Sequence, residues 1–179
     1  MMQRRAFLKS SLLLAAPTLS IPALAKSASA IPGERILRLY NTHTGEKLSS
    51  VFWAEGQFIP DALKDINKVL RDHRNNQVAE MDPQLLLLLD QVNDKLGNGK
   101  ELHIISGYRS PESNAKLHAN SNGVAKRSMH MDGKAIDIRL PGKDLQMLHK
   151  AAMSLKGGGV GYYPDSRFVH MDTGRVRYW

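Results

Sequence analysis

The 179-residue chain has no cysteine, no apolar run long enough to cross a bilayer, and a shortage of acid. The first absence excludes a disulfide framework, a thiol nucleophile and a cysteine zinc finger, so any metal has to be held by histidine and carboxylate. The most apolar stretch, Leu12 to Leu24, is broken by Pro17 and Pro22 and falls short of the roughly 20 residues a spanning helix needs. No linker, internal repeat or low-complexity segment follows it. Acid is scarce because 17 Asp and Glu stand against 25 Lys and Arg, a formal charge of +8. Such a balance fits nucleic acid, an acidic wall polymer or merely a solvated basic surface, and charge alone does not choose among them.

What is present narrows the choice. The segment "QRRAFLKSSLLLAAPTLSIPALA" pairs Arg4 with Arg5, continues through Phe7, Leu8 and Lys9 into a short apolar run, and ends on the small residues Ala23 and Ala25. This pattern predicts a twin-arginine export signal over residues 1–30, cleaved after Ala25 or Ala30. The twin-arginine translocation machinery is then a transient partner, the periplasm is the destination, and the mature protein has no stable membrane span. Chromosomal DNA is out of reach, so no nucleic-acid partner is expected. Removing residues 1–25 takes away three cations and no acid, leaving +5 over 154 residues, the size of one domain with its own core.

Along that domain, residues 31–179, two β-rich segments flank "NTHTG" and predict a hairpin. "IPDALKDINKVLRDHR" repeats apolar residues at helical spacing, with Asp61 near its start and His73-Arg74 at its end. "DPQLLLLLDQVNDKL" predicts a second helix capped by Asp82 with Pro83 at its first position. "ELHIISGYRS" is a strand running into a loop and a helix capped by Ser110, and a further helix is expected from about Lys143 to Leu155. In "KAIDIRL" the alternation places Asp137 opposite the Ile136 and Ile138 side, and in "RFVHMDT" Phe168, His170 and Asp172 share a face opposite Val169 and Met171. Strands alternating with helices make the fold class α+β.

"SMHMDGKAID" sets His130 and Asp137 seven residues apart across a glycine, and His170 lies on the last long strand. A catalytic zinc site commonly takes three such ligands and leaves a fourth position for water. On spacing alone the same residues also fit a capped turn and a surface histidine.

The motif Ser-x-His-x-x-Gly-x-Ala-x-Asp, read from Ser128 to Asp137, resembles the zinc peptidase family that includes D-alanyl-D-alanine carboxypeptidases and the hedgehog signalling domain. "ISGYRS", "GVAKRS", "GGVGYYP", "FVHMDTG" and "RVRYW" extend the resemblance, from about Arg35 to Trp179, to its murein endopeptidases. It implies a single compact domain with a small antiparallel sheet flanked by helices, and Zn2+ held by His130, Asp137 and His170. Arg109 would bind substrate and steady the oxyanion, and Ser128 and Tyr108 are candidate substrate contacts. Members of the family often place a Glu three residues before the last histidine ligand, where this chain has Arg167. Asp172, returned to the His170 face two residues on, is the expected general base, with Asp165 in reserve. The implied activity is hydrolysis of peptidoglycan stem peptides and cross-links involving meso-diaminopimelate. A carboxypeptidase trimming stem peptides and a non-catalytic zinc-bearing wall-binding module are the alternatives.

Overall fold

Strands β1 (Arg35–Asn41) and β2 (Lys47–Ala54) form the expected hairpin in the computed structural model, which describes residues 33–97, 99–121 and 123–179. The expected export signal, residues 1–30, lies outside them. Asn41 makes the turn: its Oδ1 accepts the amides of His43 and Thr44, while its Nδ2 donates to the Val69 carbonyl and ties the hairpin to the next helix. After the short β3 (Gln57–Phe58), helix α1 (Pro60–Val69) buries Ala62, Ile66 and Val69. It stops about a turn before His73-Arg74. The buried Asp72 carboxylate accepts the amides of Arg74 and Ser110, and these bonds draw the chain off the helical path.

Helix α2 (Pro83–Lys95) starts as expected, with Asp82 accepting the Gln84 amide. Strand β4 (Leu102–Ser106), helix α3 (Pro111–Asn120) capped by Ser110, a 3-10 turn (Met129–Asp132) and strand β5 (Ala135–Arg139) follow. Helix α4 (Leu145–Leu155) begins two residues later than expected because Asp144 takes the cap. Strands β6 (Gly159–Tyr163), β7 (Phe168–Asp172) and β8 (Arg177–Tyr178) complete the chain.

The α+β class holds, with a sheet that is larger and more mixed than expected. Its eight strands run β3-β2-β1-β4-β5-β7-β6-β8, with β1 parallel to β4 and β6 parallel to β8. The first parallel pair is possible because α1 and α2 separate its strands and carry the chain back across the sheet. Ile136 faces Met171 and Ile138 faces Val169 across β5 and β7, all buried in one core with Leu85, Leu86 and Leu89 of α2 and Leu148 of α4. Each such side chain contributes about 1.5–3 kcal/mol by leaving water. Helices on that face leave the alternate residues of β5 and β7 to line the other. Among the described residues no helix is long and apolar enough to cross a membrane.

Candidate active site

One cross-strand row carries the site: Ser106 on β4 faces Asp137 on β5, Asp137 faces His170 on β7, and His170 faces Gly161 on β6. His130 arrives from the 3-10 turn. Ser128 caps that turn, its Oγ accepting the His130 amide, and Gly133 closes it with φ of 66°. A Cβ at position 133 would strike the Glu80 carbonyl, so the left-handed conformation and the close approach both require glycine there.

The ring nitrogens are differentiated by their partners. His130 Nδ1 lies 2.7 Å from the Gly107 carbonyl oxygen, which accepts only from an N–H, so Nδ1 carries a proton and Nε2, 3.3 Å from Asp137 Oδ1, is the nitrogen that faces the cluster. His170 Nδ1 is 2.9 Å from the same Asp137 oxygen, and its Nε2 is 3.1 Å from Asp172 Oδ2. One ligand atom each from His130, Asp137 and His170 fall within 4.8 Å of one another, all three residues buried. Burial pushes the Asp137 carboxyl upward, but the two imidazoles outweigh it and hold it well below the usual carboxylate range. Burial also lowers the His170 pKa, and there Asp137 and Asp172 prevail and raise it. The two carboxylates therefore favour a protonated His170, and a metal ion held at Nδ1 would displace the proton from that nitrogen. Two nitrogens and a carboxylate oxygen converging on one point are donors that suit a divalent cation.

Arg109 sits alongside. Its amide donates to the His130 carbonyl, its guanidinium is 3.9 Å from Asp137 Oδ2, and its contacts to Asn114 and Ser106 are long, 3.4 and 3.5 Å. The buried Nε has no hydrogen-bond partner among the described residues. An arginine held this loosely keeps donors free for something entering the cleft.

The cleft has a volume of about 200 Å³, and Arg109, Ser128, His130, Asp137 and His170 line it. Tyr108 does not: it packs partly buried against the core, anchored by its amide on the Leu70 carbonyl. Asp165 and Arg167 are exposed on the β6–β7 turn, outside the lining, and Arg167 adopts φ of 55°. Asp172 lies across the His170 ring from the metal-ligand cluster. Its Oδ1 accepts from the Gly159 and Gly174 amides and Arg177 Nη1, and its Oδ2 from Arg177 Nη2 at 2.7 Å. Burial pushes this carboxyl up, yet His170, Arg177 and the two amides hold it well below the carboxylate range. Such a group orients a histidine better than it accepts a proton from water.

Sequence reasoning missed the far wall. Trp179 lies 5.4 Å from His170 between ring centroids, donates from Nε1 to Tyr163 Oη at 2.8 Å, and carries Arg177 over its face at 4.9 Å. Tyr163 in turn stacks on Phe168 at 4.6 Å. The available signal was the glycines of "GGGVGYY", two of which, Gly159 and Gly161, lie in β6. A Cβ at Gly161 would come within 2.7 Å of the indole, and one at Gly159 within 2.6 Å of Asp172 Oδ2.

A buried His, Asp, His cluster beside a loosely bonded arginine in an open cleft defines a metallopeptidase-type centre. The family model described as Peptidoglycan L,D-endopeptidase MepK, of the M15_2 peptidases, matches residues 29–179, and the chain belongs to that family. It is similar to the "Peptidoglycan L,D-endopeptidase MepK" of Escherichia coli (strain K12), 43% identical over 93% of this chain and 90% of the relative. The same figures describe the protein of that name from Shigella flexneri. The "Probable peptidoglycan L,D-endopeptidase MepK" of Haemophilus influenzae is 46% identical over 83% of this chain and 80% of its own length. No solved structure matches the chain.

Proposed function

We propose that this protein is a zinc-dependent peptidoglycan endopeptidase that hydrolyses cross-links involving meso-diaminopimelate, at a bond joining an L to a D centre, during wall remodelling and growth. The observation that carries the reading is the convergence of His130 Nε2, Asp137 Oδ1 and His170 Nδ1 beside Arg109 in a member of this family. Zinc bound by these three residues would supply a Lewis acid and a water acidic enough to ionise near neutral pH. The residues of the chain do the rest. Gly107 fixes the His130 tautomer, and Asp172, itself clamped by Arg177, fixes that of His170. Arg109 lines the cleft with terminal guanidinium nitrogens held only by long contacts, and these can donate to the oxygen on which charge develops. Ser128 serves by holding the turn that carries His130. Asp172 is thus a positioning carboxylate in this proposal, in place of the base suggested by its spacing.

Peptidoglycan lies outside the cytoplasmic membrane, which agrees with export by the twin-arginine route and a periplasmic site of action. The test incubates zinc-loaded mature protein with purified cross-linked muropeptides and identifies products by mass spectrometry, with His130→Ala as control. Conversion of dimers to monomers, lost in the control, is expected. Intact dimers alongside bound zinc would overturn the reading: loss of a terminal residue from monomers would then mark a carboxypeptidase, and wall binding without release a binding module.

A further inference from the structure

Residues 123–128, just before the 3-10 turn, form one wall of the cleft, held from beneath by the buried Asn114 and by His118, whose Nδ1 lies 2.7 Å from the Val124 carbonyl oxygen. Asn114 Nδ2 donates to the carbonyls of both Ala125 and Lys126 at 3.1 Å, and its Oδ1 accepts from Arg109. Two residues further on, Ser128 caps the 3-10 turn. Arg127 therefore stands between two anchored points, exposed, and lines the cleft.

Its charge is uncommitted. Three arginines line the cleft, and two have carboxylates nearby: Arg177 is bonded to Asp172, and Arg109 lies 3.9 Å from Asp137. Arg127 makes no ion pair or side-chain hydrogen bond among the described residues, and Asp137 is the one described carboxylate in the lining. A free guanidinium on an anchored backbone is suited to a planar anion, above all a carboxylate taken bidentately. The same cleft is lined by Trp179, Tyr163 and Phe168, with Trp179 about half exposed. Aromatic faces favour the methylene stem of a ligand over its charged end.

We propose that Arg127 anchors a free substrate carboxylate at the end of an aliphatic stem that lies along the Trp179 and Tyr163 wall. Resting on the endopeptidase reading, this assigns the specificity: a diaminopimelate unit whose side-chain centre keeps its carboxylate is preferred to one in which that group is amidated. The charge, the fork geometry and the apolar wall each match one part of such a residue.

Calorimetric titration of the zinc-loaded protein with a stem tripeptide ending in diaminopimelate, as free acid and as its side-chain-centre amide, tests this without requiring turnover. The wild type is expected to bind the acid about tenfold or more tightly than the amide. Arg127→Gln should erase the preference by weakening the acid alone, and Arg127→Lys, a point charge without the fork, should restore part of it. Equal binding of the two ligands, no binding, or a preference that survives Arg127→Gln overturns the proposal. Dimer cleavage measured in parallel reports on the endopeptidase reading separately. A protein that cuts nothing yet shows the Arg127-dependent preference would retain this subsite and lose that activity.

Discussion

At the scale of single residues, the assigned role of Asp172 separates from that of a base in what its removal does. Asp172→Asn keeps the shape but loses the anion behind His170, so zinc affinity measured by chelator competition should fall about 10- to 100-fold. An unchanged affinity with activity lost would return the proton-accepting role to Asp172. Gly161 offers a second measurement. Because its missing Cβ is the space the indole occupies, Gly161→Ala should displace Trp179, shift the tryptophan emission and cost about 1–3 kcal/mol through overpacking. Emission and stability both matching wild type would show that the wall does not depend on this contact.

At the scale of elements, Asp82 joins three pieces of chain. Its side chain caps α2, its amide donates to the Gly133 carbonyl, and its Oδ2 accepts the Thr173 hydroxyl. The cap thus binds the helix start to the turn after His130 and to the end of β7. Asp82→Ala should lower the unfolding free energy by about 1–2 kcal/mol in urea and weaken zinc binding as well; a stability loss with unaltered zinc affinity would confine Asp82 to capping. His73, on the loop after α1, stacks on His43 of the β1–β2 turn, ring centroids 3.8 Å apart. Burial, Arg74, His43 and Arg109 push His73 down to about 4, against the pull of Asp72. The unfolded chain protonates this ring near 6.5 and the folded one near 4. Its stabilising contribution is therefore complete above the higher value and is lost as pH falls toward the lower. Tm should drop over that window, and His73→Asn should shrink the drop; an identical profile in the variant would remove His73 as its cause.

For the whole molecule, the sheet separates labour between its faces. Ile136, Ile138, Val169 and Met171 serve the helical core, while Asp137 and His170 on the same strands face the cleft. Since zinc would bind the folded state and not the dispersed ligands of the unfolded one, occupancy and stability are linked. At about 100 times Kd, zinc should add about 2.7 kcal/mol, or roughly 5–10 °C in Tm for a domain of this size. Calorimetric scans with zinc and with chelator check it, and superimposed scans would argue against a metal held by this cluster.

The sequence by itself determined which side chains share a face of β5 and β7, because strand alternation has a period of two whatever the rest of the fold does. It likewise determined the caps at Asp82 and Ser110, which are local bonds. The His130, Asp137 and His170 set was legible through motif and resemblance together, since spacing alone also fitted a capped turn and a surface histidine. Only the tertiary structure decided the rest. That β1 and β4 run parallel depends on where two helices carry the chain. The burial of Tyr108 against the core, and the clamping of Asp172 by Arg177, depend on neighbours that local pattern does not encode. Which nitrogen of each histidine faces the cluster is set by partners such as Gly107, 23 residues from His130, and by the register of strands whose ligands lie 33 residues apart. Those distances along the chain are where a periodic reading loses its information and packing supplies it.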